Sequence, residues 1–290
     1  MHKTLKRILK PIYYSSALNP FRSAYCSAVF FNRYYRKRVF GIVGTTFRLP
    51  RELANFTYDL TPHNLNDLAH VVAIVSRKPV DEVRSYIDEA RHDADLNHAI
   101  RQAMAKRAEI YDARLISPFG RRLGWYAFAR ALKPRLIVET GVERGHGALI
   151  LCAALIRNAA EGSQGHYLGT DIDANAGWLL TGNYARVGKV LYGDSLESLK
   201  QVSGPIDLFI NDSDHSAEYE YREYQTIRAK LSPRAIILGD NAHTNDRLAT
   251  FSEENGRHFL FFKEEPERHW YPGAGIGISF APNEQVPIKT

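Results

Sequence analysis

The chain has only two cysteines, Cys26 and Cys152, among 290 residues. Thiols so few and so far apart make neither a disulfide framework nor a cysteine-rich zinc site, so site chemistry has to come from oxygen and nitrogen ligands. No run of about 18 apolar residues occurs, which argues against a membrane span. Acid is missing from one region only. Residues 1–50 hold ten Lys or Arg and no Asp or Glu, whereas the other 28 basic and all 32 acidic side chains lie beyond them. The formal charge of +6 therefore belongs to an N-terminal arm, and the remainder is mildly acidic. A domain without a basic stripe cannot track phosphates, so no nucleic-acid partner is expected.

With 44% hydrophobic residues the chain can bury a full core and supply an accessory segment besides. Three regions are expected: a basic aromatic arm over 1–50, a helical accessory segment over 51–112, and an α/β domain over 113–290. The arm interleaves cations with Tyr, Phe and Leu. As an interfacial anchor, residues 1–40 would set Leu5, Ile8 and Leu9 in the headgroup boundary, with Lys3, Lys6, Arg7 and Lys10 against anionic lipid. A mitochondrial transit peptide has the same Arg-containing, acid-free composition. The arm's aromatics also suit plain packing, on the domain or on a second subunit of a homo-oligomer. The expected location is cytoplasmic, peripheral to a membrane on the first reading and mitochondrial on the second.

Leu65, Leu68, Val72 and Val75 recur at helical spacing, and Pro79 suits the first turn of a further helix carrying Val80, Val83 and Ile87. These helices read as a cap over the domain. From about residue 113, short β-rich runs alternate with helical segments: RLIVET (135–140), HYLGTD (166–171), KVLYGD (189–194), IDLFIND (206–212) and AIILG (235–239). FLFFKEE (259–265) and GIGISFA (275–281) suit an antiparallel pair. The pattern predicts a doubly wound, Rossmann-like, mostly parallel sheet of seven strands, with ligands at the carboxyl ends of the strands.

Between the first strand and the next helix, VETGVERGHGALI contains T-G-x-x-x-G-x-G. Gly141, Gly145 and Gly147 permit a tight turn, close approach of backbone to a ligand, and a helix N-terminus aimed at it. Short-chain dehydrogenases share this spacing, but they pair it with Tyr-x-x-x-Lys, and none of the sixteen tyrosines has Lys four residues later. S-adenosylmethionine makes different demands. It carries a cationic sulfonium and amino group and no pyrophosphate, so an acid beside the glycines, Glu139, is useful. Asp171 is placed to take two ribose hydroxyls, with Asp173 as a substitute, and Asp194 and Ser195 lie where adenine would be approached. Each acid alone also suits an ordinary turn. The ordered set Glu139, Gly141, Gly145, Asp171, Asp194 and Ser195 resembles the class I methyltransferase pattern over residues 135–195.

Further on, Asp212 leaves the fourth strand, and Asp240 and Asn241 leave the fifth. If those strands are neighbours, two carboxylates and an amide carbonyl make a hard oxygen set suited to Mg²⁺ or Mn²⁺. The D-x-D-H and D-N pairs resemble the metal-dependent O-methyltransferases of the catechol and caffeoyl-coenzyme A type. They resemble more closely the macrocin and rhamnosyl O-methyltransferase group with its cephalosporin-hydroxylase relatives. The resemblance spans roughly residues 115–282. It implies that Asp212, Asp240 and Asn241 bind the metal and that His215, where the catechol type has Lys, is the catalytic base. One departure is Asn211, at a position usually filled by an apolar strand residue.

Plainer readings exist for each residue. Asp240 and Asn241 suit a turn, Asp214 suits a cap for a helix beginning near Ser216, and His215 suits a solvent-facing loop. His146 and His243 are candidate substrate contacts. Tyr221 and Tyr224 read as helix packing, and Trp270 and Tyr271 as ring-stacking or core residues. The reading reached is a metal-dependent O-methyltransferase using S-adenosylmethionine on a hydroxyl of a small molecule, with a sugar, glycosylated natural product or glycolipid favoured by His215. A catechol or polyphenol acceptor, a non-catalytic S-adenosylmethionine-binding scaffold and a hydroxylase-like oxidation are the alternatives.

Overall fold

A computed structural model describes residues 15–48, 57–107, 119–240, 242–267, 269 and 271–282. Asn241, Trp270 and the arm residues Lys3, Leu5, Lys6, Arg7, Ile8, Leu9 and Lys10 lie outside the described residues. The chain divides into two compact units, one of residues 1–52 with 268–271 and one of residues 53–267 with 272–290.

The first unit is helical: α1 (Asn19–Phe30), a π-helical turn (Phe31–Tyr35) and α2 (Arg36–Arg48). None of α1 is buried, and Phe21, Tyr25, Phe30, Tyr34, Tyr35 and Phe40 are all exposed. Arg33 lies over the Tyr34 ring at 5.5 Å. Among the described residues no helix is long and apolar enough to cross a membrane.

The second unit begins with α3 (Pro62–Ser76), α4 (Val80–Arg91) and α5 (Ala94–Lys106). Local chemistry sets their ends. Thr61 Oγ1 accepts from Asn64 N at 3.2 Å with Pro62 at the first position, and Asp93 Oδ1 accepts from Leu96 N at 2.9 Å. The next helix, α6 (Leu123–Leu132), leads into the sheet. Arg130 of α6 ties these helices together. It bonds Glu89 of α4 at 2.7 Å, Glu161 at 2.5 Å and Asn158, while the Tyr126 hydroxyl donates to Glu89 at 2.5 Å.

The strands are β1 (Leu136–Thr140), β2 (His166–Asp171), β3 (Gly188–Tyr192), β4 (Ile206–Asn211), β5 (Leu231–Gly239), β6 (His258–Lys263) and β7 (Gly275–Phe280). They alternate with α7 (His146–Ala160), α8 (Ser195–Gln201), α9 (Ala217–Ile227) and α10 (Arg247–Glu254). The sheet has seven strands in the order β3-β2-β1-β4-β5-β7-β6. The first five are parallel, and β7 runs antiparallel to both β5 and β6. Every residue of β1 is buried, as expected of a central strand covered on both faces. One side of the sheet packs Val138, Phe209, Tyr224, Ile237 and Phe251 into a continuous core, each such side chain contributing roughly 1.5–3 kcal/mol. Strand order reverses between β1 and β4, the kind of switch point at whose carboxyl edge open α/β sheets bind ligands.

Candidate active site

The chain leaves β1 at Thr140 and turns at Gly141, whose φ is 79°. A Cβ here would lie 2.0 Å from the Asp212 carbonyl oxygen, so the first loop and the segment after β4 meet backbone to backbone. Gly145, with φ 97°, is the N-cap of α7 and brings no side chain to the cap. The amides of that first turn are left to a ligand or water. At Gly147 a Cβ would sit 2.2 Å from Glu139 Oε1 and 2.6 Å from the Trp125 ring.

Glu139 is therefore underneath the loop rather than beside it. It is 1% exposed and accepts from the Tyr167 hydroxyl at 2.6 Å. Burial pushes its carboxyl up to about 8, so it carries a proton at neutral pH. Burial, and then Arg122 and Arg144, hold His146 down at about 3, so its ring is neutral. Glu139 Oε1, His146 Nε2, Trp125 Nε1, Thr170 Oγ1 and Arg122 Nε are buried without a hydrogen-bond partner among the described residues. Orphan polar atoms gathered near one glycine loop are what a polar ligand or ordered water would satisfy.

Asp171, half-buried at the end of β2, accepts from Glu143 N and Asp173 N, both at 2.8 Å. It thereby joins β2 to the first loop. Asp173 turns into its own loop and accepts from Asn175 N at 2.9 Å. Next to Asp171, Ile172 is 82% exposed, an apolar surface that the sequence pattern did not single out. Asp194 caps α8 by accepting from Glu197 N at 3.2 Å, and Tyr219 donates to its other oxygen at 3.2 Å. Ser195 is buried, with its Oγ 3.0 Å from the Tyr219 hydroxyl.

On the other side of the strand-order switch, β4 and β5 are parallel neighbours with Asn211 and Gly239 in register. Asp240 N donates to Asn211 O at 3.0 Å, and Asp212 N to Thr140 O at 2.9 Å. Asp212 and Asp240 thus stand at adjacent strand ends, the latter 1% exposed. Arg122, in the turn before α6, holds Nη2 3.4 Å from Asp212 Oδ2 and lies over the Trp125 ring at 5.1 Å. Sequence alone did not point to this arginine, which is 90 residues from its acid. His215 is exposed in the loop after β4. Burial raises the carboxyl of Glu220, in the first turn of α9, and Asn245 donates to it at 2.9 Å. Asp214 accepts from Ser216 N at 2.8 Å just ahead of α9. Among the described residues no group of three or more His, Cys, Asp or Glu side chains is placed to hold a metal ion.

Residues 138–242 match the family model described as a methyltransferase domain. The match runs from β1 to just beyond β5 and contains all the acids of this edge. No curated protein matches the chain. Among solved structures, an O-methyltransferase from Bacillus cereus in complex with SAH is 15% identical, over 69% of this chain and 100% of that one, with a TM-score of 0.48. The O-methyltransferase TomG from Streptomyces achromogenes, solved with SAM, is 19% identical over 66% and 91% of the two chains, with a TM-score of 0.47. An SAH-bound methyltransferase from Podospora anserina is 18% identical over 70% and 95%, also with a TM-score of 0.47. These are distant likenesses, and the Rossmann-like architecture stands on the strand order of this chain itself.

One further feature of this edge is Glu223 of α9, which is fully buried. Its carboxylate accepts from Thr140 Oγ1 at 3.1 Å, from Ser213 Oγ at 2.8 Å to both oxygens, and from Ser195 Oγ and Asn211 Nδ2. Burial pushes it up to about 7 in spite of these donors. Asn211 also accepts from the Tyr224 hydroxyl at 3.2 Å. A polar residue at this strand position is thus satisfied on both sides, which explains the departure from an apolar residue there.

Proposed function

We propose that the protein is an S-adenosylmethionine-dependent O-methyltransferase that uses Mg²⁺ or Mn²⁺ and acts on a hydroxyl of a sugar, a glycosylated natural product or a glycolipid. It is the group resembling macrocin and rhamnosyl O-methyltransferases that this reading favours. The observation carrying it is the polar edge at the carboxyl ends of the strands, around the reversal of strand order between β1 and β4. There a glycine loop, an acid at the end of β2 and a carboxylate pair line one edge inside the span matched to a methyltransferase domain. We assign residues 113–290 to the catalytic domain, 51–112 to its helical accessory segment and 1–50 to the arm.

The donor chemistry of this edge supports both implied groups. Unpartnered polar atoms around the first loop suit a polar ligand, and two carboxylates at adjacent strand ends are the hard donors that Mg²⁺ or Mn²⁺ takes. S-adenosylmethionine, when bound, supplies an electrophilic methyl group. Asp212, Asp240 and Asn241 would hold the divalent ion, which would supply positive charge beside the acceptor hydroxyl. The protein's own contribution is orientation and proton handling. Gly141 and Gly145 let the backbone approach the donor, and Glu139 supports that loop from below through Tyr167. Asp171 takes the ribose hydroxyls with lone pairs beyond those used by its two amides, and Ile172 offers an apolar face to the base. Asp194 and Ser195 close the adenine end. His215 receives the acceptor proton on a ring nitrogen, and a base so placed contributes roughly a hundredfold or more.

The test uses purified protein, S-adenosylmethionine, and a panel of sugar and catechol acceptors read by mass spectrometry. Asp240→Ala is expected to abolish turnover while calorimetry still detects S-adenosylhomocysteine, and His215→Ala to lose rate with metal affinity retained. Full turnover after exhaustive chelation would refute the divalent ion. For the arm, we propose an anionic membrane surface as partner: its exposed aromatics alternate with Arg22, Arg33, Arg36 and Lys37, and no acid opposes them. Equal sedimentation with anionic liposomes by the full chain and by a chain lacking residues 1–40 would refute that.

A further inference from the structure

Four side chains bond the buried carboxylate of Glu223, and none of the four is itself proposed to carry the metal or act as the base. Each stands one position away from a proposed ligand residue. Thr140 precedes Gly141 of the first loop, Ser195 follows Asp194 at the end of β3, and Asn211 and Ser213 flank Asp212 after β4. These donors are 83, 28, 12 and 10 residues from Glu223 along the chain, so the helix bearing it gathers the end of β1, the start of α8 and the end of β4 with its following loop onto one group. Tyr219, one helical turn before Glu223, extends the cluster to Asp194 through its hydroxyl at 3.2 Å.

The chemistry suits an acid at the centre. A carboxylate is acceptor-only, with about four lone-pair sites on its two oxygens, which matches four convergent donors. An amide has one accepting oxygen and would turn its own N–H groups against the Asn211 amide or a serine hydroxyl. In a low-dielectric interior such a mismatch is not relieved by water. Because the donors stand at the ends of β1 and β4, the start of α8 and the loop after β4 rather than in the middle of strands, losing the centre would let the segments beyond them shift relative to one another while the sheet remains folded.

We propose that Glu223 is a positioning residue that sets the first glycine loop, the Asp194 turn and Asp212 at the mutual spacing required to bind the methyl donor. The proposal deepens the methyl-donor reading above and rests on it. Its consequence is that ligand affinity depends on Glu223 by way of groups Glu223 touches, without its contacting the ligand.

The decisive experiment compares wild type, Glu223→Gln and the double variant Glu223→Gln/Asn211→Asp. The readouts are S-adenosylhomocysteine affinity by calorimetry, the far-ultraviolet dichroism spectrum, and KM against kcat for the donor. Loss of an outer hydrogen-bonding partner should weaken binding in folded Glu223→Gln by about tenfold or more and raise KM for the donor more than it lowers kcat. The double variant, which returns one carboxylate to the Asn211–Glu223 pair with the amide now donating, should recover most of that loss. Wild-type affinity in folded Glu223→Gln, with only a lower unfolding temperature, would overturn the proposal and reduce the cluster to a structural one. Should Glu223→Gln not fold, Ser213→Ala decides on the same readout: weaker binding supports the proposal and unchanged affinity overturns it. A wild-type protein that binds no S-adenosylhomocysteine overturns the methyl-donor reading and this proposal with it, whereas binding by wild type with an unaffected variant overturns the positioning role alone.

Discussion

Replacing Glu139 with Gln should alter how stability depends on pH more than it alters stability at any one pH. The wild-type carboxyl is raised from 4.5 to about 8, by burial foremost, against the opposing influence of the Tyr167 hydroxyl and Arg122. Between those two values the folded chain keeps this proton and the unfolded chain releases it. Stability from this group is therefore fully present below pH 4.5 and falls by about 1.4 kcal/mol per pH unit until the folded carboxyl ionises near pH 8. Over the whole window that amounts to roughly 5 kcal/mol. Gln accepts the same bond from Tyr167 and has no proton to lose. The stability of wild type minus that of the variant should thus drop by about 3 kcal/mol from pH 5 to pH 7. At about 2–4 °C per kcal/mol, this is a relative shift of roughly 6–12 °C in the unfolding midpoint. Denaturant and calorimetric unfolding of both proteins at several pH values would measure it. Parallel stability curves would refute the reasoning, because they would mean that Glu139 is ionised inside the fold.

Gly141→Ala places a side chain at φ 79° and 2.0 Å from the Asp212 carbonyl, so the loop and the end of β4 must separate. A stability loss of about 2–4 kcal/mol and loss of S-adenosylhomocysteine binding are expected, read by unfolding and by calorimetry. Asp171→Asn removes the charge but keeps the volume, and should weaken S-adenosylhomocysteine about 10- to 100-fold, the worth of a charge-assisted hydrogen bond. Arg130→Met leaves Glu89 and Asn158 without the cation between them. A cost of about 3–5 kcal/mol is expected, with faster amide exchange in α4 and α6.

The strands were legible because their apolar runs are local and continuous. HYLGTD is β2 residue for residue, and the end pair FLFFKEE and GIGISFA forms the antiparallel β6 and β7. Boundaries moved where the sheet extended a strand past its apolar core. β5 starts at Leu231, four residues ahead of AIILG, because Leu231 pairs with Ile206. The T-G-x-x-x-G-x-G turn was legible as well, since positive φ and close backbone approach select glycine whatever the ligand. The environment of each acid was not legible. Glu139 reads as a carboxylate beside the glycines, yet it lies below them as a buried, protonated acid. Ser195 reads as an adenine contact, and that its hydroxyl bonds Glu223 was not to be seen in the sequence. EYEYREY reads as a packing helix, which holds for Tyr224, but Glu220 and Glu223 on the same helix face the acidic edge and the strand ends.

By itself the sequence determined which segments become strands and helices, where the backbone turns sharply, and that acids collect at the carboxyl ends of the strands. Each of these follows from side-chain pattern and backbone freedom within a few residues. Tertiary structure alone decided that Asp212 adjoins Asp240, that Arg122 comes from before the sheet to meet Asp212, and that one glutamate gathers the ends of β1 and β4 and the start of α8. Those pairings depend on strand order and helix packing, and burial then keeps the proton on Glu139, a property that no local pattern encodes.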